Sequence, residues 1–109
     1  MRAIIGELQE DGTQDIDVEI HPWDTWALDL TLALIIIPAL EQLQDGSQSY
    51  PQEFEEFDDW ADAIDKMIYA FESVVGDENS DIDYWTDERW QNTKDGFSLF
   101  GKHYTDLWM

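Results

Sequence analysis

The sequence predicts a mainly α-helical single domain: three helices, the central one buried and kinked, preceded by a short N-terminal β-hairpin. Three observations carry that prediction. Apolar residues recur at spacings of three and four through two long segments, a third segment is apolar in almost every direction, and only residues 1–20 alternate as strands do.

Within residues 1–20, RAIIGEL and QDIDVEI are β-prone runs separated by QEDGT, whose Asp11-Gly12 pair is a hairpin turn signal. The second run sets Ile16, Val18 and Ile20 on one face and Asp15, Asp17 and Glu19 on the other. Pro22 ends the strand. A helix is expected over 25–44, with Asp24 or Thr25 capping its start and Gly46 just past its end. Apolar side chains point almost everywhere around its run WALDLTLALIIIPAL, which implies burial on most sides, and Pro38 deletes one helical hydrogen bond and kinks it. The second helix, 53–75, aligns Phe54, Phe57, Ala61, Ile64, Ile68, Phe71 and Val75, a stripe widened by Trp60, Met67 and Val74. Its opposite face carries Glu55, Asp58, Asp59, Asp62 and Asp65, interrupted by Lys66. The polar link GDENSDID follows, with Gly76 suited to a helix end. The third helix, 84–108, places Trp90, Thr93, Phe97, Phe100, Tyr104 and Leu107 on one face, while Gly96 and Gly101 permit a close helix contact.

Charge narrows the function. Asp and Glu number 26 against 5 Lys and Arg, a formal charge of −21. Such a chain repels nucleic acid and anionic membranes, so neither is an expected partner. Yet 43% hydrophobic residues, with 14% aromatics, is too apolar for a disordered acidic tail. Cysteine is absent, which removes disulfides, thiol nucleophiles and cysteine metal sites and fits a reducing interior. MRAIIGELQED lacks the pattern of a secretory leader, and the longest apolar run, broken by Asp29, falls short of the roughly 20 residues that cross a bilayer. A cytoplasmic protein is the expectation.

Three blocks then stand out in order over most of residues 20–108: HPWDTWALDLTLALIIIPAL, WADAIDKMIYAFE and RWQNTKDGFSLFGKHYTDLW. They resemble a family of small acidic proteins of T4-like tailed phages of marine bacteria. Its blocks read approximately DPWDTW with an Asp-x-Thr-Leu-Ala continuation, then Met-Ile-Trp-Ala-Phe-Glu, then Gly-Phe-x-Leu-Phe-Gly-Lys-Tyr-Phe-x-x-Leu-Trp. This chain departs by carrying His21 for the first Asp, Tyr69 for the Trp, His103-Tyr104 for Tyr-Phe, and a short link where many relatives carry a long insertion. The resemblance implies a viral origin, and so an infected host cell, rather than a particular reaction.

Four constellations bear on chemistry. Asp77, Asn79, Asp81 and Asp83, with Glu88 at the twelfth position, have the spacing of a calcium loop, but Ile82 stands at the sixth position, where the turn needs glycine. Turn-forming Asp and Asn account for the same pattern. His21 and His103, with Asp24 or Asp106, offer an acid–base pair without a nucleophile or metal triad, so no enzyme is expected, and His103 reads as a surface or half-buried packing residue. The carboxylates Glu55, Asp58, Asp59, Asp62 and Asp65 imitate a phosphate array, which carries one charge per about 1.7 Å of duplex axis. A solvated helix face, or adaptation to salt, accounts for the same residues. Finally, among residues that match the phage blocks, Asp29 interrupts an apolar helix and needs a cation, for which Arg89 or Lys102 is the natural partner. With Trp23, Asp24, Trp26 and Glu72 these form one expected constellation, which either fixes helix register or lines a pocket for a planar ligand.

The expected function is a non-enzymatic phage accessory protein, without cofactor. It would bind and inhibit a basic, nucleic-acid-binding host protein through an acidic, DNA-mimic-like helical surface. A small-ligand or nucleotide-binding protein built on the Trp-rich pocket is the alternative, and a virion or assembly component a further one.

Overall fold

Local sequence rules shape the first twenty residues. In the computed structural model, which describes residues 1–47, 49–79 and 86–108, strands β1 (Arg2–Leu8) and β2 (Gln14–Glu19) pair antiparallel, with Ala3 opposite Val18 and Ile5 opposite Ile16. Gly12 adopts φ 86°, a left-handed conformation that glycine enters without steric cost, and Asp11 accepts hydrogen bonds from the Thr13 backbone N–H (3.0 Å) and hydroxyl (2.6 Å). The register shifts between Ile5 and Leu8, where a Cβ on Gly6 would sit 3.2 Å from the Asp15 carbonyl oxygen. This hairpin packs on none of the described helices.

After Glu19 the chain makes a single 3-10 turn, Pro22–Thr25, and then the helices α1 (Leu28–Gly46), α2 (Phe57–Asn79) and α3 (Asp87–Lys102). The mainly α, three-helix architecture with an N-terminal hairpin is the one read from the sequence. Its boundaries move for identifiable reasons. Asp24 and Thr25 cap the 3-10 turn instead of α1: the Asp24 carboxylate accepts from the His21 backbone N–H at 2.8 Å, and the Thr25 hydroxyl donates to the Pro22 carbonyl at 2.8 Å. Gly46 closes α1 from inside its last turn. Residues 51–56 form turns ahead of α2, so that helix starts at Phe57, and it runs through Gly76 because one glycine costs only about 1 kcal/mol. The third helix stops at Lys102, where His103 (φ −103°, ψ 14°) leads into a second 3-10 turn, Tyr104–Asp106.

The larger correction concerns which helix is central. The expectation placed the helix containing Pro38 in the middle, buried on most sides. That position belongs to α2, which packs against α1 on one side and α3 on the other, while α1 and α3 do not pack on each other. Trp60, Ala63, Ile64, Met67, Ile68, Ala70 and Phe71 of α2 are buried, against only Ala33 and Leu40 of α1. Leu28, Leu32, Leu34 and Ile35 of α1 are exposed. An apolar pattern in all directions states what a helix can bury, and not that its own chain supplies the cover.

The face of α3 is also turned by one position from the expected one. Thr93, Gly96 and His103 are buried, whereas Trp90 and Tyr104 lie mostly in water. Gly96 explains the rotation: a Cβ there would collide with the Lys66 backbone carbonyl and come within 2.7 Å of the Ala70 Cβ. The backbone of α3 thus lies directly on α2, and Phe97 and Phe100 straddle Phe71 with ring centroids 5.1 and 5.0 Å away. Because the helices lie side by side, the molecule measures 48 × 43 × 19 Å. Its radius of gyration, 15.8 Å, exceeds the roughly 13 Å typical of a compact domain of this length.

The two glycines of α3 separate cleanly in this arrangement, since nothing lies within 4 Å of a Cβ built on Gly101. Gly96→Ala should destabilise the fold by about 2–3 kcal/mol through overpacking against a backbone that cannot yield. Gly101→Ala should stabilise it by up to about 1 kcal/mol through helix propensity. Urea unfolding followed by circular dichroism measures both; equal effects at the two positions would refute the assigned helix contact.

Candidate functional site

The carboxylates expected to meet a partner are all exposed. Asp58, Asp59, Asp62 and Asp65 project from the first turns of α2, and Glu55 stands in the turn just before it. The i, i+4 and i, i+3 steps from Asp58 to Asp62 to Asp65 put those three on one line along the helix. Glu72, two turns further on, extends it, with Tyr69 between. Asp65 also accepts a hydrogen bond from the Gln44 amide of α1 at 2.7 Å, and the same amide donates to the Ala61 carbonyl at 2.9 Å, fixing α1 beside α2.

On its other side Asp65 opens into a groove between α2 and α3. Asp65, Lys66 and Tyr69 line it from α2, and Asn92, Asp95, Ser98 and Leu99 from α3, around about 660 Å³. Asp65 and Asp95 make this groove acidic, with Lys66 the cation in its lining. Asp95 takes a hydrogen bond from Gln91 at 2.8 Å, which holds its carboxylate in place.

The constellation proposed around Asp29 does not assemble. Asp29 is exposed near the start of α1 and makes no ion pair among the described residues. Arg89 instead donates to the Ser73 carbonyl at 2.6 Å, tying the start of α3 to α2, and Lys102 pairs with Glu53 at 3.1 Å. Glu72 is exposed on α2. Asp24 holds the Met1 ammonium at 2.7 Å. Trp26 is 85% exposed, and Trp23 stacks on His21 at 4.4 Å while remaining largely in water, so neither anchors the hairpin to the core. A helix can tolerate Asp29 unpaired because its carboxylate is solvated, which removes the reason to seek a cation for it.

Of the calcium-loop candidates, Asp81 and Asp83 lie outside the described residues; Asp77 and Asn79 fall in the last turn of α2 and Glu88 in the first turn of α3, behind the cap Thr86. No group of three or more His, Asp or Glu converges as a metal site among the described residues.

His103 is where the sequence reading missed most. It is 1% exposed, not a surface or half-buried residue. Its ring sits between Phe54 and Trp60, each with its centroid 5.3 Å away. Nδ1 bonds the Asp106 carboxylate at 3.0 Å, and Nε2 lies 3.0 Å from the Glu53 carboxylate without hydrogen-bond geometry. Both ring nitrogens thus face carboxylates of this chain, so the imidazole clamps the turn before α2 to the end of α3 and is not presented to a substrate. Beside it a hollow of about 590 Å³ is lined by Tyr50, Pro51, Glu53, Trp60, Asp106 and Trp108 among others. The spacing His103-x-x-Asp106, one turn apart, was the available signal, and Glu53, distant in sequence, was the part that only folding supplies.

Two carboxyls flanking β2 are held low by the hydrogen bonds they accept. A hydrogen bond from the Met1 ammonium, then one from the His21 backbone N–H, holds the Asp24 carboxyl below its ordinary value of 3.8. Asp11 shifts in the same direction through its bonds from Thr13. A carboxyl depressed in the folded state contributes stability fully above its unfolded value and loses it as pH falls through the lower folded value. Acidification below about 3.8 should therefore release Met1 and the 3-10 turn, seen as a change in Trp23 and Trp26 fluorescence. Asp24→Asn should show the released signal already at neutral pH and no further Asp24-dependent step; an unchanged acid transition in that variant would count against the tether.

Compared with known proteins, the chain matches no family model, no curated protein and no solved structure.

Proposed function

We propose that this chain is a non-enzymatic accessory protein that binds a basic partner through the carboxylates at the start of α2, and that its phage-like sequence blocks reflect origin in a tailed phage. The observation that carries the reading is the cluster Glu55, Asp58, Asp59, Asp62 and Asp65, exposed on the first turns of α2 and just before it, with Asp65 and Asp95 together in one groove. Four of these carboxylates on α2 span about 10 Å of helix axis, an average spacing of about 3.5 Å. One strand of duplex DNA carries a phosphate every 3.4 Å or so. The match extends over two turns only, because Lys66 and Tyr69 follow. It therefore favours a short basic patch, such as a lysine- or arginine-bearing loop or helix of a nucleic-acid-binding host protein, over a groove that encloses a whole duplex. Occupation of that patch would inhibit the partner by excluding its nucleic acid.

The aromatic hollow beside His103 supports the second reading, a small-ligand site, now centred on Tyr50 and Trp108 rather than on Trp23 and Trp26. Its carboxylates are already engaged by Lys102 and His103, so it has less charge to offer a cation than the α2 face.

A short peptide rich in arginine and lysine is the defined probe. Binding should weaken steeply as salt rises. Reversing all five carboxylates to lysine should cost about 3 kcal/mol, roughly 100-fold in affinity, at about 0.6 kcal/mol per exposed pair. Isothermal calorimetry at two salt concentrations measures both; salt-independent binding, or equal binding by the reversed variant, would refute the proposal.

A further inference from the structure

Two apolar surfaces have no cover within the described chain. On α1, Leu28, Leu32, Ile35 and Ala39 recur at spacings of four, three and four, the seam of a two-helix coiled-coil contact. All four are exposed, Ile35 by 47%. On the hairpin, Ile5, Ile16, Val18 and Ile20 are likewise exposed, and directly paired residues such as Ile5 and Ile16 share one face. An isolated two-stranded hairpin is marginal in water without something packed on it.

The surface of the chain is larger than its mass accounts for. A compact monomer of this mass exposes about 6,300 Å². This chain exposes 8107 Å², an excess of roughly 1,800 Å² over that relation. Stable homodimers bury about 1,000–2,500 Å² per chain, and the excess falls inside that range.

The charge pattern selects the occupant. Among 26 Asp and Glu, none stands on the stripe from Leu28 to Ala39; Asp29 is turned off it by about 100°. A basic partner would be drawn to the carboxylates of α2 and finds no charge here. A second copy carries the same seam and is its own complement about a two-fold axis. It also brings the two uncharged faces together while most of its carboxylates stay in water.

We infer that the chain is a two-fold homodimer whose interface pairs the α1 stripe of one copy with that of the other and closes over the apolar faces of the hairpins. The pattern of α1, apolar in nearly every direction, then has its physical reason: α2 covers one face, with Ala33 and Leu40, and the second copy covers the neighbouring face, roughly 110° round the helix. The dimer is independent of the acidic surface, and the two respond to salt with opposite sign. Screening weakens attraction to a basic partner but relieves repulsion between two copies of charge −21.

Sedimentation equilibrium tests this directly. The wild-type chain should sediment at twice its 12.8 kDa mass at micromolar concentration, with association tightening as salt rises. The double variant Leu32→Gln and Ile35→Gln changes only exposed positions; it should keep its helical circular dichroism and dissociate with a constant raised by roughly 100-fold. Because the chain has no cysteine, a spin label on Ile35→Cys reports the seam alone, and should give a strong label-to-label coupling that a label on Asp62→Cys lacks. A wild-type protein that stays monomeric, a dimer that survives the double variant, or a dimer whose Ile35 labels do not couple would each overturn the inference.

Discussion

The close contact of α3 on α2 is the constraint on which the described structure depends. With hydrogen alone at Gly96, the α3 backbone reaches the Lys66 carbonyl, and this sets which residues of α3 turn inward. Thr93 and His103 are buried as a consequence, Phe97 and Phe100 close around Phe71, and Arg89 reaches the Ser73 carbonyl. The opposite flank of α2 receives Ala33 and Leu40. Since, among the described helices, α1 and α3 each pack on α2 and not on each other, weakening either contact exposes the helix that carries most of the buried apolar side chains.

What the sequence made legible was local. Asp11-Gly12 marks the hairpin turn because the turn needs a left-handed residue at that point, and the α2 stripe is readable because seven apolar positions share one period. Partnership across the fold was not legible. Asp29 looked like a carboxylate in need of a cation, yet its side of α1 faces water; Arg89 and Lys102 found a carbonyl and Glu53 instead. The aromatic residues of α3 pointed to a face one position away from the buried one, because bulk dominates a periodicity argument while the approach distance is set by the smallest residue. His103 was undervalued for the same reason: its burial depends on Phe54 and Trp60, which arrive from another element. The exposed carboxylates of α2 were placed correctly, as residues opposite a strong apolar stripe generally are.

The molecule divides its surface by chemistry. Carboxylates occupy the outer line of α2, while the outer line of α1 and one face of the hairpin are free of charge. In a chain with 26 acidic residues this partition is a strong pattern, since any carboxylate on the apolar side would have to be dehydrated on contact.

Each helix rests on the one next to it in the chain, and the strands pair across one tight turn. Most contacts of this kind close short loops, so little chain entropy is lost before they begin to reward it, and the long closure from Glu53 to Lys102 and His103 can follow. Topologies dominated by local contacts cross the folding barrier in microseconds to milliseconds. Layer geometry thus has a kinetic consequence: a flat stack of sequence neighbours assembles quickly after synthesis.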